Sequence, residues 1–382
     1  MIKYIKTFIK KNIVILKLRN IGLLVFILAL FSNCSDKKEK LYTETVDELF
    51  DTTHILTGYA QSEEEFKKNV SVYEKEMKRF DKLYTIYKSY DGINNLKTIN
   101  DNAGIKAIKV DKDIINLLEE SIRMYREVSN SVNIAAGSII DLWEKRNENT
   151  LPLEEKLKEA SKCTDINNIV INKKEETVFL KEKCMKINVG AVAKGYAVEF
   201  VAEKMKKMGI TSFIISAGGN VRIIGKRKVP KKENKISDLK KCREEFCIGI
   251  TSPIYGNTEL DNNNPYKKGE YIAKIAAKDM SVVTTGNYQR YFVYKGEIYG
   301  HVIDLKKLKP GGEFASVTVI TENSAFADFM STALFLLSYE EGEKLVKNMG
   351  NIDAIWAFKN GEIKNTERLI NGENYVKYNF KE

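Results

Sequence analysis

Histidine is nearly missing from this chain: His54 and His301 are the two in 382 residues. Any mechanism that moves a proton through imidazole rests on one of them. A zinc centre built on two or three histidines would consume both, which all but excludes it. No G-x-S-x-G segment occurs, so a serine-hydrolase elbow has no support. Cysteine is sparse as well, five residues in all. Cys242 and Cys247 lack the C-x-x-C spacing of a zinc knuckle. The basic excess of +10 is not a nucleic-acid footprint, because it comes largely from the amino-terminal segment.

Six of those cations (Lys3, Lys6, Lys10, Lys11, Lys17 and Arg19) precede the first acid. Removing them leaves a net charge of +4. The apolar run "IGLLVFILALF" follows, eleven residues long and ending at "SNC". A membrane span needs roughly 20 apolar residues. A basic segment, a short apolar segment and small residues before a cleavage point describe an export signal. Residues 1–33 are therefore expected to be a lipoprotein signal peptide, with Cys34 as the lipid-bearing residue. Residues 34–45 are expected to be a charged tether and residues 46–382 the working domain. The expected location is outside the cytoplasm, anchored to a bacterial membrane, on the periplasmic side of the inner membrane in a Gram-negative cell. Cys163, Cys184, Cys242 and Cys247 then remain, and four cysteines allow three pairings.

Phe66, Val70, Tyr73, Met77 and Phe80 recur at helical spacing, and "KDIINLLEESIRMYREVS" has the same period. "GYAVEFVAEKMKKMG" predicts a helix stopped at Gly209. "SFIISAGGNVRIIG" predicts strand, tight turn, strand, and "ASVTVIT" a strand. The charged stretch over 226–245 predicts a solvated hairpin extension. Hairpins mixed with helices indicate an α+β class and not a regular parallel winding.

The stretch "SAFADFMSTALFLL" predicts a buried helix with Asp328 and Thr332 on one stripe, four residues apart. An unpaired carboxylate among such neighbours would be costly. A hard divalent cation takes carboxylate, hydroxyl and carbonyl oxygens, and would cancel that cost. The alternative is an acid helping the helix dipole, with Ser324 as N-cap. "GAVAKGYAVE" departs from the Walker pattern, yet puts Lys194 and free main-chain donors at a helix start, a suitable anion cradle. "AGGNVRIIG" is a tight glycine turn, and "HVID" places Asp304 near His301, as a base with a supporting carboxylate would require, the alternative being a hydrogen-bonded structural histidine.

Eight blocks in register, from "FDTTHILTGYA" through "INVGAVAKGYAVE", "SAGGNVRIIG", "TTGNYQRYF" and "HVID" to "SVTVITENSAFADFMSTALF", give the chain a wider likeness. From about Phe50 to Phe358 it resembles the FAD:protein FMN transferases, the ApbE-type flavin-handling lipoproteins. That resemblance implies a T-fold-like α+β architecture of mostly antiparallel sheets with packed helices. It implies Mg²⁺ held by Asp328, Thr332 and the carbonyl of Ala191. Lys194, Gly195 and Glu199 would hold the diphosphate and ribose of FAD. Gly218, Gly219, Asn220, Thr284, Thr285 and Gly286 would line the flavin and nucleotide cleft. Asp51 and Thr52 occupy the place of an amino-terminal cofactor segment. His301 would be the catalytic base, supported by Asp304. The implied reaction is Mg²⁺-dependent transfer of FMN from FAD, as substrate, to a Ser/Thr hydroxyl of an acceptor, with release of AMP. Acceptors would be subunits of membrane redox complexes carrying Ser/Thr-Gly-Ala-Ser/Thr. Hydrolysis of FAD to FMN and AMP by the same site, storage of flavin without catalysis, and an unrelated solute-binding lipoprotein are the other readings.

Overall fold

The computed structural model describes residues 39–146, 150–228, 242, 245–256, 258–267, 270–370 and 375–377. The expected signal, Cys34 and most of the 226–245 extension lie outside these residues.

An eight-stranded antiparallel sheet forms the frame: β1 (Lys40–Leu49), β2 (Thr52–Ala60), β3 (Ser212–Ala217), β4 (Asn220–Gly225), β5 (Ser281–Gly286), β6 (Phe314–Thr321), β7 (Asp353–Phe358) and β8 (Ile363–Asn365). Their order across the sheet is their order in the chain. Helices and smaller strands are insertions between neighbours of one meander. Residues 40–45, expected in the tether, are instead the first part of β1, paired with β2 from Lys40 opposite Ala60.

Strand β6 shows why the frame holds: all eight of its residues are buried. The strand is covered on both faces, and its small and β-branched residues, with Ser316, Thr318 and Thr321 buried beside the apolar ones, suit that position. Val317 and Val319 enter the larger core cluster, which contains the helices, while Ala315 and Ile320 enter a second cluster on the other face. That second cluster includes Phe246 and Ile250 from strand Phe246–Thr251 and Ile272 and Ile275 from strand Tyr271–Ala277. The sheet thus separates a helical layer from a small antiparallel one, the α+β arrangement expected.

Four helices make up most of the helical layer: α1 (Glu63–Tyr84), α2 (Lys112–Glu127), α3 (Ala193–Lys207) and α4 (Ser324–Leu336). The first buries Phe66, Val70, Tyr73, Met77 and Phe80, the stripe read from the sequence. Helix α4 buries every residue from Ser324 to Phe335 except Phe326. Its N-cap is Asn323, whose side chain accepts from the Phe326 amide at 2.9 Å, and not Ser324. Ser324 instead donates its hydroxyl to Asn220 Oδ1 at 2.7 Å. Two disulfides, Cys163–Cys184 and Cys242–Cys247, use the remaining four cysteines and select one of the three pairings.

Candidate active site

Helices α3 and α4 cross in close contact because residue 195 is glycine. A Cβ there would lie 2.4 Å from the Asp328 Cβ and 2.5 Å from the Ser324 carbonyl oxygen. The approach lets the Gly195 amide, a free donor in the first turn of α3, reach Asp328 Oδ2 at 2.7 Å. Asp328 is 7% exposed, and burial raises its pKa; the Lys194 charge and the Gly195 amide oppose that rise. The acid in the apolar helix therefore caps a neighbouring helix with one oxygen. The Asn220 amide lies alongside the same carboxyl, and its Nδ2 has no hydrogen-bond partner of sound geometry among the described residues.

Asp328 also faces a cleft of about 570 Å³, together with Thr332, Thr285, Ala191, Lys194 and Gly218. Thr285 Oγ1 sits 3.3 Å from Thr332 Oγ1 and 2.8 Å from Ser331 Oγ. The donors gathered here are carboxylate and hydroxyl oxygens with carbonyls beside them. No group of three or more His, Cys, Asp or Glu residues assembles among the described residues. One carboxylate with neutral oxygens suits Mg²⁺ completed by water and phosphate oxygens. The residues present fit that ion.

Lys194, half-buried, donates to the carbonyls of Ala217 and Gly218 at 3.0 Å each. Burial lowers its pKa, against the pull of Asp328. The Gly218 backbone is left-handed (φ +48°), and a Cβ there would meet Thr52 at 2.6 Å. Glycine is thus required for the β3–β4 turn to lie against the Thr52 side chain. Across the cleft, His301 Nδ1 is 3.2 Å from the main-chain oxygen of Arg290. A carbonyl only accepts, so this nitrogen carries the proton and Nε2 of the neutral ring holds the free lone pair. His301 is exposed on the cleft, yet desolvation by the protein walls around it lowers its pKa, and the neighbouring Arg290 and Lys194 charges add to the fall.

The structure divides the expected site residues. Asp51, Thr52, Ala191, Lys194, Gly218, Thr284, Thr285, Gly286, His301, Asp328 and Thr332 all line the cleft. Gly195, Glu199, Gly219, Asn220 and Asp304 do not. Glu199 is committed to Arg222, at 3.0 Å from Nε, and to the Ser324 amide at 2.6 Å, so it ties α3 to β4 and the start of α4. Asp304 Oδ1 accepts from the amides of Lys306 and Lys307 at 2.9 and 3.3 Å, which makes it a turn former beside the site. Gly195, Glu199 and Asp304 are thus engaged by protein partners and support the wall, while Gly219 and Asn220 belong to the β3–β4 turn behind it.

Other cleft residues escaped the sequence reading. Trp143, Phe292 and Tyr299 form one aromatic wall, with Phe292 and Tyr299 stacked at 5.0 Å. Tyr87 closes the rim through its hydroxyl, 3.0 Å from both oxygens of Glu144. Arg290 reaches the Asp51 carbonyl at 3.2 Å. The signal for Arg290, Phe292 and Tyr299 was the aromatic and cationic density of "YQRYFVYKGEIY", shortly before His301; Tyr87 and Trp143 had no such local signal.

The ApbE family model matches residues 50–356. The chain belongs to the ApbE family. It is similar to a FAD:protein FMN transferase of Klebsiella pneumoniae strain 342, 26% identical over 291 residues, covering 75% of this chain and 81% of that protein. A protein of the same name from Treponema pallidum strain Nichols is 25% identical over 283 residues, covering 72% and 74%. Among solved structures, the ApbE protein of Thermotoga maritima superposes with a TM-score of 0.71 at 24% identity, over 86% of this chain and 98% of that one. The flavin transferase ApbE of Vibrio cholerae gives 0.67 at 17% identity, over 86% and 97%. The fold is that of ApbE proteins.

Proposed function

We propose that this ApbE-family chain is an FAD:protein FMN transferase that moves FMN from FAD to a Ser/Thr hydroxyl of an acceptor protein. The observation that carries the reading is the meeting, in one cleft, of Asp328 and Thr332 with Lys194 and His301. An oxygen donor set and a fixed cation suit the diphosphate; a neutral imidazole suits the hydroxyl. The activity for which the relatives are named agrees with that chemistry.

In this mechanism the acceptor hydroxyl oxygen forms a bond to the FMN-side phosphorus as the bond from that phosphorus to the bridging oxygen breaks. The hydroxyl proton passes to His301 Nε2, and AMP leaves with the bridging oxygen. Lys194, held by the Ala217 and Gly218 carbonyls, stands ready with its third N–H for a phosphate oxygen. Mg²⁺, held by Asp328, Thr332 and the Ala191 carbonyl, would supply neutralisation of charge on the diphosphate. A His301 pKa below the usual imidazole value favours the neutral ring that a base requires, so the acid limb of turnover should lie below the ordinary imidazole range.

Residues 1–33 serve, in this reading, as a lipoprotein signal, with Cys34 lipidated and the domain working outside the cytoplasm. The two disulfides favour such an oxidising compartment. Palmitate labelling lost on replacing Cys34 would support the anchor; labelling absent from the wild type would refute it.

The decisive assay incubates the chain with FAD, Mg²⁺ and a peptide bearing Ser/Thr-Gly-Ala-Ser/Thr. A peptide mass gain of FMN supports transfer. Free FMN and AMP alone would mean a pyrophosphatase, and uncleaved bound FAD a storage protein.

A further inference from the structure

Not every cation among the described residues that line the cleft has a task in the mechanism above. Lys194 is committed to two carbonyls, and Arg146 lies 3.1 Å over the Phe292 ring and donates to the Trp143 carbonyl at 2.7 Å. Arg290 is different. Its side chain is open to the cleft, and its one side-chain hydrogen bond among the described residues is the 3.2 Å contact from Nη2 to the Asp51 carbonyl. It makes no ion pair among those residues. A guanidinium carries five N–H donors in a planar fork, so four of them remain for a ligand.

The acceptor it rests on is presented by a distorted turn. Phe50 and Asp51, between β1 and β2, both have left-handed backbones, with φ of 50° and 54°. Left-handed conformations are uncommon for residues other than glycine and are costly for a bulky one such as Phe50. The Phe50 amide donates to Asp81 Oδ1 at 3.2 Å, which helps hold the turn against the cleft. A neutral carbonyl at the long end of hydrogen-bond range is a weak partner for a guanidinium. Two phosphate oxygens would be a stronger one.

We propose that Arg290 binds the diphosphate of the dinucleotide, exchanging the Asp51 carbonyl for a two-pronged contact to non-bridging phosphate oxygens. The inference rests on the flavin-transferase reading and adds a residue to it. It also couples two events. The Arg290 main-chain oxygen holds His301 Nδ1, so a diphosphate gripped by the Arg290 side chain is placed relative to the imidazole through a single residue. Any side-chain substitution leaves the carbonyl in place, so binding can be tested with the base still oriented.

The test titrates FAD, ADP and riboflavin, with Mg²⁺ present, into the full chain and its Arg290→Ala and Arg290→Lys variants. Losing a charge-assisted contact of this kind corresponds to about a 10- to 100-fold weaker affinity. Arg290→Ala should show that loss for FAD and ADP and none for riboflavin, which has no phosphate. Arg290→Lys should recover part of it, since it restores the charge but not the fork. FAD and ADP affinities within twofold of wild type in Arg290→Ala would overturn the proposal, as would an equal loss for riboflavin. A wild-type chain that binds neither FAD nor ADP would instead refute the flavin reading on which the proposal rests.

Discussion

The two histidines occupy opposite kinds of environment. His54, on β2, is 0% exposed and has both ring nitrogens engaged: Nδ1 at 2.6 Å from the Tyr73 hydroxyl and Nε2 at 3.0 Å from the Thr52 hydroxyl. Burial, helped by the Lys194 charge, lowers its pKa to about 4. His301 has one nitrogen on a carbonyl and the other without a hydrogen-bond partner among the described residues, in the cleft. Desolvation by the surrounding protein comes first among the causes that lower both pKa values, but His54 is sealed while His301 is exposed, and only His301 has a lone pair to offer. What separates a structural histidine from a candidate base here is access together with the second nitrogen's partner: His54 is sealed with both nitrogens engaged, whereas His301 is exposed on the cleft and its Nε2 has no hydrogen-bond partner among the described residues.

The comparison breaks most sharply at His301. His301→Ala should retain FAD binding while turnover falls on the order of 10²- to 10⁴-fold, the usual worth of a general base. Equal rates in steady-state assays would move the base elsewhere. Next in size is Asp328→Asn, in which the amide oxygen can still accept from the Gly195 N–H. Apparent Mg²⁺ affinity should drop by about 100-fold or more, beyond the cost typical of losing a mere supporting contact. Thermal stability should hold or rise, since a buried charge is gone. Undiminished Mg²⁺-dependent turnover would remove Asp328 from the metal site.

Much of this was legible from residues 50 to 356. Period-3.6 burial placed α1 and α2, the β-branched stretch "ASVTVIT" placed β6, and the polar pair in α4 marked the cleft. Glycine and acid positions were harder. Gly195 and Glu199 lie one turn apart on α3, yet both turn toward α4 and β4, because close helix crossing needs a missing side chain and a capped helix start. A sequence shows that such residues are special; it does not show whether ligand or protein fills the space. Long-range partners such as Asp51 with Arg290 depend on a meander folding back over more than two hundred residues, beyond any local pattern.

A smaller effect sharpens the sealed side. Protonating His54 in the folded chain is unfavourable, since its folded pKa of about 4 lies below the unfolded value of 6.5. The unfolded state therefore binds the extra proton as pH falls. Stability is whole above about pH 6.5 and declines toward pH 4, by about 3 kcal/mol in all. Chemical denaturation across this range should show the slope, and His54→Gln should flatten it. A slope unchanged in that variant would assign the acid limb to other groups.

The smallest expected effect asks whether the two regions are independent at all. Tyr73→Phe removes the hydroxyl 2.6 Å from His54 Nδ1 and leaves a buried nitrogen bare. The loss should be about 1–2 kcal/mol of stability with turnover unchanged. Yet Thr52 touches both regions: its hydroxyl meets His54 Nε2, and its side chain lines the cleft against Gly218. Should Tyr73→Phe slow turnover tenfold while remaining folded, His54 would be acting through Thr52 on the cleft. The sealed histidine would then be a positioning residue for the glycine turn that carries Lys194's two carbonyls.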